Sequence, residues 1–174
     1  MALLPIIEAP DPRLKIKAKP VKQVDDQLRQ LLDDMVETMH AAPGIGLAGP
    51  QVGSELRILV IDLARDGAPP APMKFINPEI VWASEETRPW EEGCLSLPDQ
   101  FAEVLRPAEV KVRYVDENGA KQEMHAKGVL SVCVQHEMDH LEGVLFVDHI
   151  SALRRNMILR KLAKTKKLKT PASA

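Results

Sequence analysis

The feature that most constrains this 174-residue chain is the segment from His136 to His140, which fits the pattern H-E-x-x-H. On a helix, positions i and i+4 share a face, so both imidazoles can reach one metal ion. Glu137 then lies beside the ion and can move protons on a bound water. The alternative is an ordinary helix with two partly buried histidines and a solvated glutamate. The helical, apolar pattern around the motif favours the metal site.

A catalytic metal usually needs a third protein ligand, with water in the open position. In metzincin proteases the motif continues to a third histidine, and Phe146 stands at that position here. Other metalloproteases take a Glu from a later helix as the third ligand, but no Asp or Glu follows Asp148 in this chain. The acids Glu142 and Asp148 follow the motif so closely that the chain could not easily turn back to bring either carboxylate to the metal. We therefore predict an upstream ligand, Cys94, because a thiolate is a strong ligand for a divalent metal. Cys133 fits better as a small core residue.

The composition fits a single catalytic domain over residues 1–174. Apolar residues make up 45% of the sequence but aromatic residues only 3%, so the core must be aliphatic. No apolar run is long enough to span a membrane, and the first residues lack the basic start of a signal peptide. We therefore expect a cytoplasmic protein with reduced cysteines, without membrane or DNA partners.

Helical periodicity predicts three helices, which begin at plausible caps. They are expected over 25–40 with Asp25 as N-cap, over 129–141 with Gly143 as stop, and over 151–169 with Ser151 as N-cap. Four prolines indicate an extended arm over 3–20, and glycines and prolines indicate loops over 43–50 and 66–72.

Alternating or continuous apolar patterns predict four strands, and residues 84–92 are polar without a predicted element. The strands are expected over 57–62, 75–82, 110–115 and 121–126. The last two flank Asn118-Gly119 and are predicted to form a hairpin. Strands in the middle of the chain and helices at both ends indicate an α+β fold.

The C-terminal segment is strongly basic, although the whole chain has a net charge of −2. No acid lies between Arg154 and Lys169, and the basic residues there are Arg154, Arg155, Arg160, Lys161, Lys164, Lys166, Lys167 and Lys169. The predicted helix would carry Leu153, Met157 and Leu162 on an apolar side. The segment either binds an anionic partner or only aids solubility. Residues 170–174 are expected to be a flexible tail.

Three segments coincide, in order, with the signature motifs of peptide deformylases. They are residues 44–51 (GIGLAGPQ), 92–96 (EGCLS) and 135–140 (QHEMDH). The chain resembles this family from about residue 3 to about residue 164. The resemblance implies antiparallel β-sheets around a central helix that carries H-E-x-x-H, with a C-terminal helix. It also implies a metal-dependent hydrolase that removes the formyl group from the N-terminal formyl-methionine of nascent polypeptides.

The resemblance assigns roles by position. Cys94, His136 and His140 would hold the metal, and Glu137 would serve as general base and acid for the water that attacks the formyl carbon.

It further implies that Gln51 and the backbone N–H of Leu95 stabilise the oxyanion, while Ile45 and Gly46 hydrogen-bond the substrate backbone.

Candidates for an apolar methionine slot lie near the motifs, and they are Ile45, Trp90, Leu95, Val129, Val132 and Cys133. Three residues depart from the family pattern. Gly49 stands where an Ala is usual, Phe101 where some members have an Arg near the substrate backbone, and Trp90 where an aliphatic residue often lines the slot.

Cysteine with two histidines suits Zn²⁺, and Fe²⁺, Co²⁺ and Ni²⁺ also bind such sites. The resemblance favours Fe²⁺ as the physiological metal. Bacterial members of the family use a C-terminal helix at the ribosome, so the basic helix is predicted to contact ribosomal RNA.

Two other functions compete with deformylation. One is a zinc aminopeptidase or another small metallopeptidase, against which the cysteine ligand and the missing downstream ligand argue. The other is an inactive relative that binds nascent chains or ribosomes, against which the intact Glu137 and ligand set argue.

Overall fold

The computed structural model describes residues 2–64 and 67–169, where two antiparallel sheets pack around a buried helix. The helices are α1 (Asp26–Ala41), α2 (Gly128–Leu141) and α3 (Ala152–Lys169). The strands are β1 (Gly46–Ala48), β2 (Ile58–Ile61), β3 (Met73–Ala83), β4 (Thr87–Cys94), β5 (Leu97–Pro107), β6 (Glu109–Val115) and β7 (Lys121–Lys127). The predicted α+β class is confirmed. The tail predicted over 170–174 and the first residue of the predicted loop 66–72 lie outside the described residues.

The larger sheet has five strands in the order β1-β2-β3-β6-β7. All four residues of β2 are buried, because α1 and α2 cover opposite faces of the sheet around it. This explains the continuous apolar run ILVI in place of an alternating pattern.

The hairpin predicted for β6 and β7 is confirmed, and Gly119 in its turn has a φ of 80°, which glycine adopts without strain.

The smaller sheet is the hairpin of β4 and β5, which the sequence patterns did not predict. In β5, alternate residues are buried, but Arg106 occupies one of those buried positions after Ala102 and Val104. Because a charged residue stands at a position where an apolar one is expected, the sequence did not show the alternating pattern of a strand. In β4 most side chains are exposed, so its polar composition looked like a loop.

The helix α2 is buried on nearly every side, and its apolar residues pack against the five-stranded sheet. Cys133, Val134, Met138 and Leu141 belong to the same cluster as Leu59, Ile61, Phe75 and Val112. Its polar residues Gln135, His136, Glu137 and His140 are also buried, and two of them contact the smaller sheet: His136 hydrogen-bonds Glu92 of β4, and Gln135 donates to the carbonyl oxygen of Pro107 in β5. The motif therefore lies inside the protein, held by packing on both sides.

The segment 43–50 is a loop only in part, because β1 and the short 3-10 helix Gly49–Val52 begin within it. A β carbon at Gly49 would lie 2.8 Å from the carbonyl oxygen of Leu56 and 3.1 Å from Cγ1 of Ile58. The packing of this chain therefore leaves no room for the alanine that the family usually has here.

The other predicted helices are confirmed with small changes. Asp25 caps α1 through the backbone N–H of Leu28, and Ser151 Oγ accepts a hydrogen bond from Arg154 N at the start of α3. The predicted apolar side of α3 is partly wrong. Leu162 is buried, but Leu153 and Met157 are 69% and 57% exposed.

Leu162 packs together with Ile158 and Leu159 of α3, against a cluster of the rest of the protein that includes Leu97 and Phe146. The arm over 3–20 is extended except for the 3-10 helix Pro12–Lys15. In the described part of the chain, no helix has the length and apolar character needed to cross a membrane.

Candidate active site

Cys94, His136 and His140 meet at the boundary between β4 and α2. One donor atom from each lies within 4.8 Å of the other two. Cys94 ends β4, and its Sγ lies 3.4 Å from Nε2 of His140. The two imidazoles are one helical turn apart on α2, with ring centroids 5.2 Å apart. A thiol and two imidazole nitrogens in this arrangement fit a four-coordinate divalent ion with one open position.

A buried ion-pair network holds His136. Its Nδ1 lies 2.9 Å from Oε1 of Glu92, so Nδ1–H donates to the carboxylate and Nε2 remains for a metal. Arg106 binds the same carboxylate with two hydrogen bonds, of 2.5 and 2.9 Å. It also donates to Asp139 at 2.9 Å. Burial alone would raise the pKa of Glu92, but the hydrogen bonds from His136 and Arg106 outweigh it and lower that pKa.

Glu137 lies beside the donor group, with Oε1 3.9 Å from Nε2 of His136. Its carboxylate is buried, and Oε2 has no hydrogen-bond partner among the described residues. Removal from water raises the pKa of Glu137 to about 7, and the positive charge of Arg106 offsets this effect only in part. Burial also lowers the pKa of His140 well below its usual value, and a neutral imidazole is the form that binds a metal.

Gln51 projects toward the cysteine from the 3-10 helix Gly49–Val52. Its Oε1 accepts a hydrogen bond from the backbone N–H of Ala48 at 2.9 Å. Its Nε2 donates to Ser96 Oγ at 3.0 Å and contacts Cys94 Sγ at 3.5 Å. Gln51 is 1% exposed, so it is not the solvated loop residue that an isolated glutamine usually is. Both of its polar ends are held, which fixes the direction in which its N–H groups point.

A cavity of about 570 Å³ opens beside these groups. It has the size of a ligand pocket. His136 and Glu137 form part of its wall, together with the predicted substrate residues Ile45, Gly46, Trp90, Leu95, Val129, Val132 and Cys133. Every residue predicted for the methionine slot therefore borders this one cavity. Burial raises the pKa of Cys133 to about 12, so its thiol is uncharged there.

Two residues of the site were missed from the sequence. Glu92 precedes Cys94 by two positions, and the period of a strand places both side chains on one face. That signal was available once β4 was recognised. Arg106 is a charged residue in the buried phase of β5, which by itself indicates a buried ion pair. Its partners Glu92 and Asp139 are distant in sequence, so only the fold identifies them.

Comparison with known proteins agrees with this geometry. The family model described as polypeptide deformylase matches residues 3–156. The peptide deformylase of Phenylobacterium zucineum is 55% identical over 164 residues, which cover 94% of this chain and 97% of the relative. That of Mesorhizobium japonicum is 55% identical over 171 residues, which cover 98% and 97%.

The solved structures agree as well. The crystal structure of peptide deformylase from Ehrlichia chaffeensis superposes with a TM-score of 0.91 at 39% identity, and the alignment covers 96% of this chain and 98% of that one. The same enzyme in complex with actinonin superposes with a TM-score of 0.90 at 41% identity, with coverage of 98% and 100%. This chain therefore belongs to the polypeptide deformylase family of metal-dependent hydrolases.

Proposed function

We propose that this protein removes the formyl group from the N-terminal formyl-methionine of nascent polypeptides. One observation carries the proposal: Cys94, His136 and the buried Glu137 line a single cavity, and a donor atom of His140 lies within 4.8 Å of those of Cys94 and His136. The formyl carbon would lie at the inner end of this cavity, and the methionine side chain would fill its apolar part.

Cys94, His136 and His140 would hold one divalent metal ion, for which Fe²⁺ is our choice as the physiological metal. When bound, such an ion acidifies a water to a pKa of roughly 7 and polarises a carbonyl oxygen. Metal analysis of protein purified without oxygen tests the choice of Fe²⁺. Zinc as the main metal in active protein from such a preparation would overturn it.

Glu137 would accept a proton from the attacking water and then deliver it to the leaving amine. Its carboxylate faces the donor group and, among the described residues, Oε2 has no competing hydrogen bond. A formamide is a poor electrophile, so the negative oxygen that forms during the attack needs hydrogen-bond donors. The Gln51 amide and the backbone N–H of Leu95 would supply them, and losing one such donor typically costs about 10²–10³ in rate.

Substrate recognition would combine backbone and apolar contacts. Ile45 and Gly46, at the start of the edge strand β1, would hydrogen-bond the peptide backbone. The methionine side chain would pack among apolar residues of β4 and α2, namely Trp90, Val129, Val132 and Cys133. The chain acts as one catalytic domain in the cytoplasm, where formylated nascent peptides are made.

A direct assay separates the three candidate functions. Metal-loaded protein should release formate from formyl-Met-Ala-Ser and leave the unformylated peptide intact. Release of free methionine from the unformylated peptide would indicate an aminopeptidase instead. Binding of either peptide without any product would indicate an inactive relative.

A substitution at Gly46 tests the placement of Glu137. A β carbon there would lie 2.7 Å from Oε1 and 2.9 Å from Cγ of Glu137, so Gly46→Ala must displace the carboxylate. We expect the variant to fold and hold metal but to lose about 10²-fold in kcat, since misplacement by about 1 Å has such effects. Unchanged kcat, with an unchanged far-ultraviolet spectrum and metal content, would contradict this placement.

The basic helix α3 would bind ribosomal RNA. Arg160, Lys161, Lys164 and Lys167 are all exposed, and no acidic residue lies within α3. Arg155 is less available, because it donates to Asp148 at 2.8 Å. Contacts between these side chains and phosphates should weaken steeply with salt.

Changing Arg160, Lys161, Lys164 and Lys167 to Ser should therefore reduce co-sedimentation with ribosomes, while hydrolysis of a short formyl-methionyl peptide stays near that of the wild type. The matched control changes four exposed lysines of the body: Lys17, Lys22, Lys121 and Lys127. Equal loss in both variants would indicate a general charge effect. Unchanged binding in the α3 variant would refute the role of the helix.

A further inference from the structure

The cavity lies between two strand edges. In the described part of the chain, β1 pairs only with β2 and β4 pairs only with β5. Residues 43–46 and residues 90–94 line the cavity. An extended peptide can therefore lie in it as an added strand, using backbone groups of these edges. The side chains of such a peptide alternate between two directions.

The two faces of β4 differ in what surrounds them. Trp90, Glu92 and Cys94 share one face, and these side chains are partly or fully buried toward α2. The apolar slot for methionine is on this side. Glu91 and Gly93 share the opposite, exposed face. By alternation, a methionine in the slot directs the side chain of the following residue toward the exposed face.

That exposed face carries the aromatic ring of Phe101 and the carboxylates of Glu91 and Glu103. Phe101 is paired with Gly93 and is 59% exposed, and its ring covers Gly93 so closely that a β carbon there would lie 2.6 Å from it. Next along the hairpin, Glu91 is paired with Glu103. Like charges directly opposite each other destabilise a strand pair.

Neither Glu91 nor Glu103 has an ion pair or a side-chain hydrogen bond within residues 2–64 and 67–169. Among those same residues, no lysine or arginine lines the cavity. This wall of the cleft therefore attracts a cation that has an apolar stem.

We propose that this enzyme prefers formyl-methionyl peptides whose second residue is lysine or arginine, with Phe101, Glu91 and Glu103 as the specificity-determining residues. This inference rests on the proposed deformylation. The aliphatic stem of the second side chain packs on the Phe101 ring, and its charged end reaches the two carboxylates. Phe101 and Glu91 line the cleft already described, and Glu103 lies beside it as the strand partner of Glu91, so the proposal adds a selectivity rather than a separate site.

The test compares formyl-Met-Lys-Ala-Ser amide with a peptide that has norleucine in place of lysine, which keeps the stem and removes the charge. At low ionic strength we expect kcat/KM to be about three- to tenfold higher for the lysine peptide, as expected for two exposed ion pairs. The difference should lie mainly in KM, because the contact forms equally in the ground and transition states. It should shrink as salt is added.

Substitutions then test whether Glu91 and Glu103 cause the preference for lysine over norleucine. In Glu91→Gln/Glu103→Gln the lysine-to-norleucine ratio should fall to near one, and this ratio is insensitive to any general loss of activity. The control Glu79→Gln/Glu123→Gln removes the same charge from β3 and β7, outside the cavity wall, and should keep the ratio.

The position of the charge is tested with formyl-Met-Ala-Lys-Ser amide, which should show no such advantage over its norleucine counterpart. A wild-type ratio near one, a ratio that survives in the Glu91/Glu103 variant, or an equal advantage for lysine at the third position would each overturn the inference. In all three cases the norleucine peptides are still hydrolysed. Failure to hydrolyse any formylated peptide would instead reject the proposed function.

Discussion

The Glu137→Gln variant is expected to fold and bind metal normally, and to lose about 10²–10⁴ in kcat, the contribution typical of a positioned general acid–base. Glutamine has nearly the same shape, but its amide cannot accept the proton of the attacking water. Glu137 Oε2 has no hydrogen bond among the described residues, so the substitution should cost little stability. The measurements are kcat for a formyl-methionyl peptide and the metal content of the same preparation.

The matched control for this variant is Glu123→Gln, an isosteric change on the exposed face of β7. It should retain wild-type kcat and metal content. If Glu137→Gln kept turnover within a few-fold of the wild type, proton transfer would have to be assigned to another group. If it lost the metal as well, the change in rate would say nothing about proton transfer, and the assignment would then depend on the Gly46→Ala variant.

The second large effect is expected for Cys94→Ser. A neutral hydroxyl replaces a thiolate among three converging donors, so the variant should retain less than about a tenth of the bound metal and a similar share of activity. Metal per protein is measured after dialysis against a weak chelator. The matched control is Cys133→Ser, which changes the same atom in the wall of the same cavity.

Cys133 is buried in the apolar cluster with Val134 and Met138 and does not belong to the donor group, so its serine variant should keep the metal. A modest loss of stability is expected there, because a hydroxyl replaces a sulfur in an apolar cluster. Equal metal content in the wild type and Cys94→Ser would remove Cys94 from the ligand set. Equal metal loss in both serine variants would point to unfolding, which circular dichroism would reveal.

The local patterns of the sequence were sufficient for several elements. The spacing of His136 and His140 on a predicted helix, the hairpin of β6 and β7, and the cap at Asp25 all follow from neighbouring residues. Each depends on the period of a helix or strand, or on turn chemistry, and such signals act over a few residues. The structure agrees with these predictions for that reason.

Other features depended on contacts between distant segments. The charge of Arg106 interrupts the alternation of β5, and its burial is understandable only beside Glu92 and Asp139. Likewise, the apolar residues Leu153 and Met157 are exposed, because the body contacts α3 through Ile158, Leu159 and Leu162. The sequence pattern of one helix shows which residues share a face, but it does not show which face will pack against another element.

The sequence by itself predicted the candidate donor set, because excluding downstream ligands left Cys94 as the best third partner for the two histidines. Only the tertiary structure decided how that set is held and what surrounds it. The pairing of β4 with β5 places Glu92 against His136 and Phe101 over Gly93. Strand pairing and packing join segments that are far apart in the chain, and such contacts leave no local periodicity in the sequence.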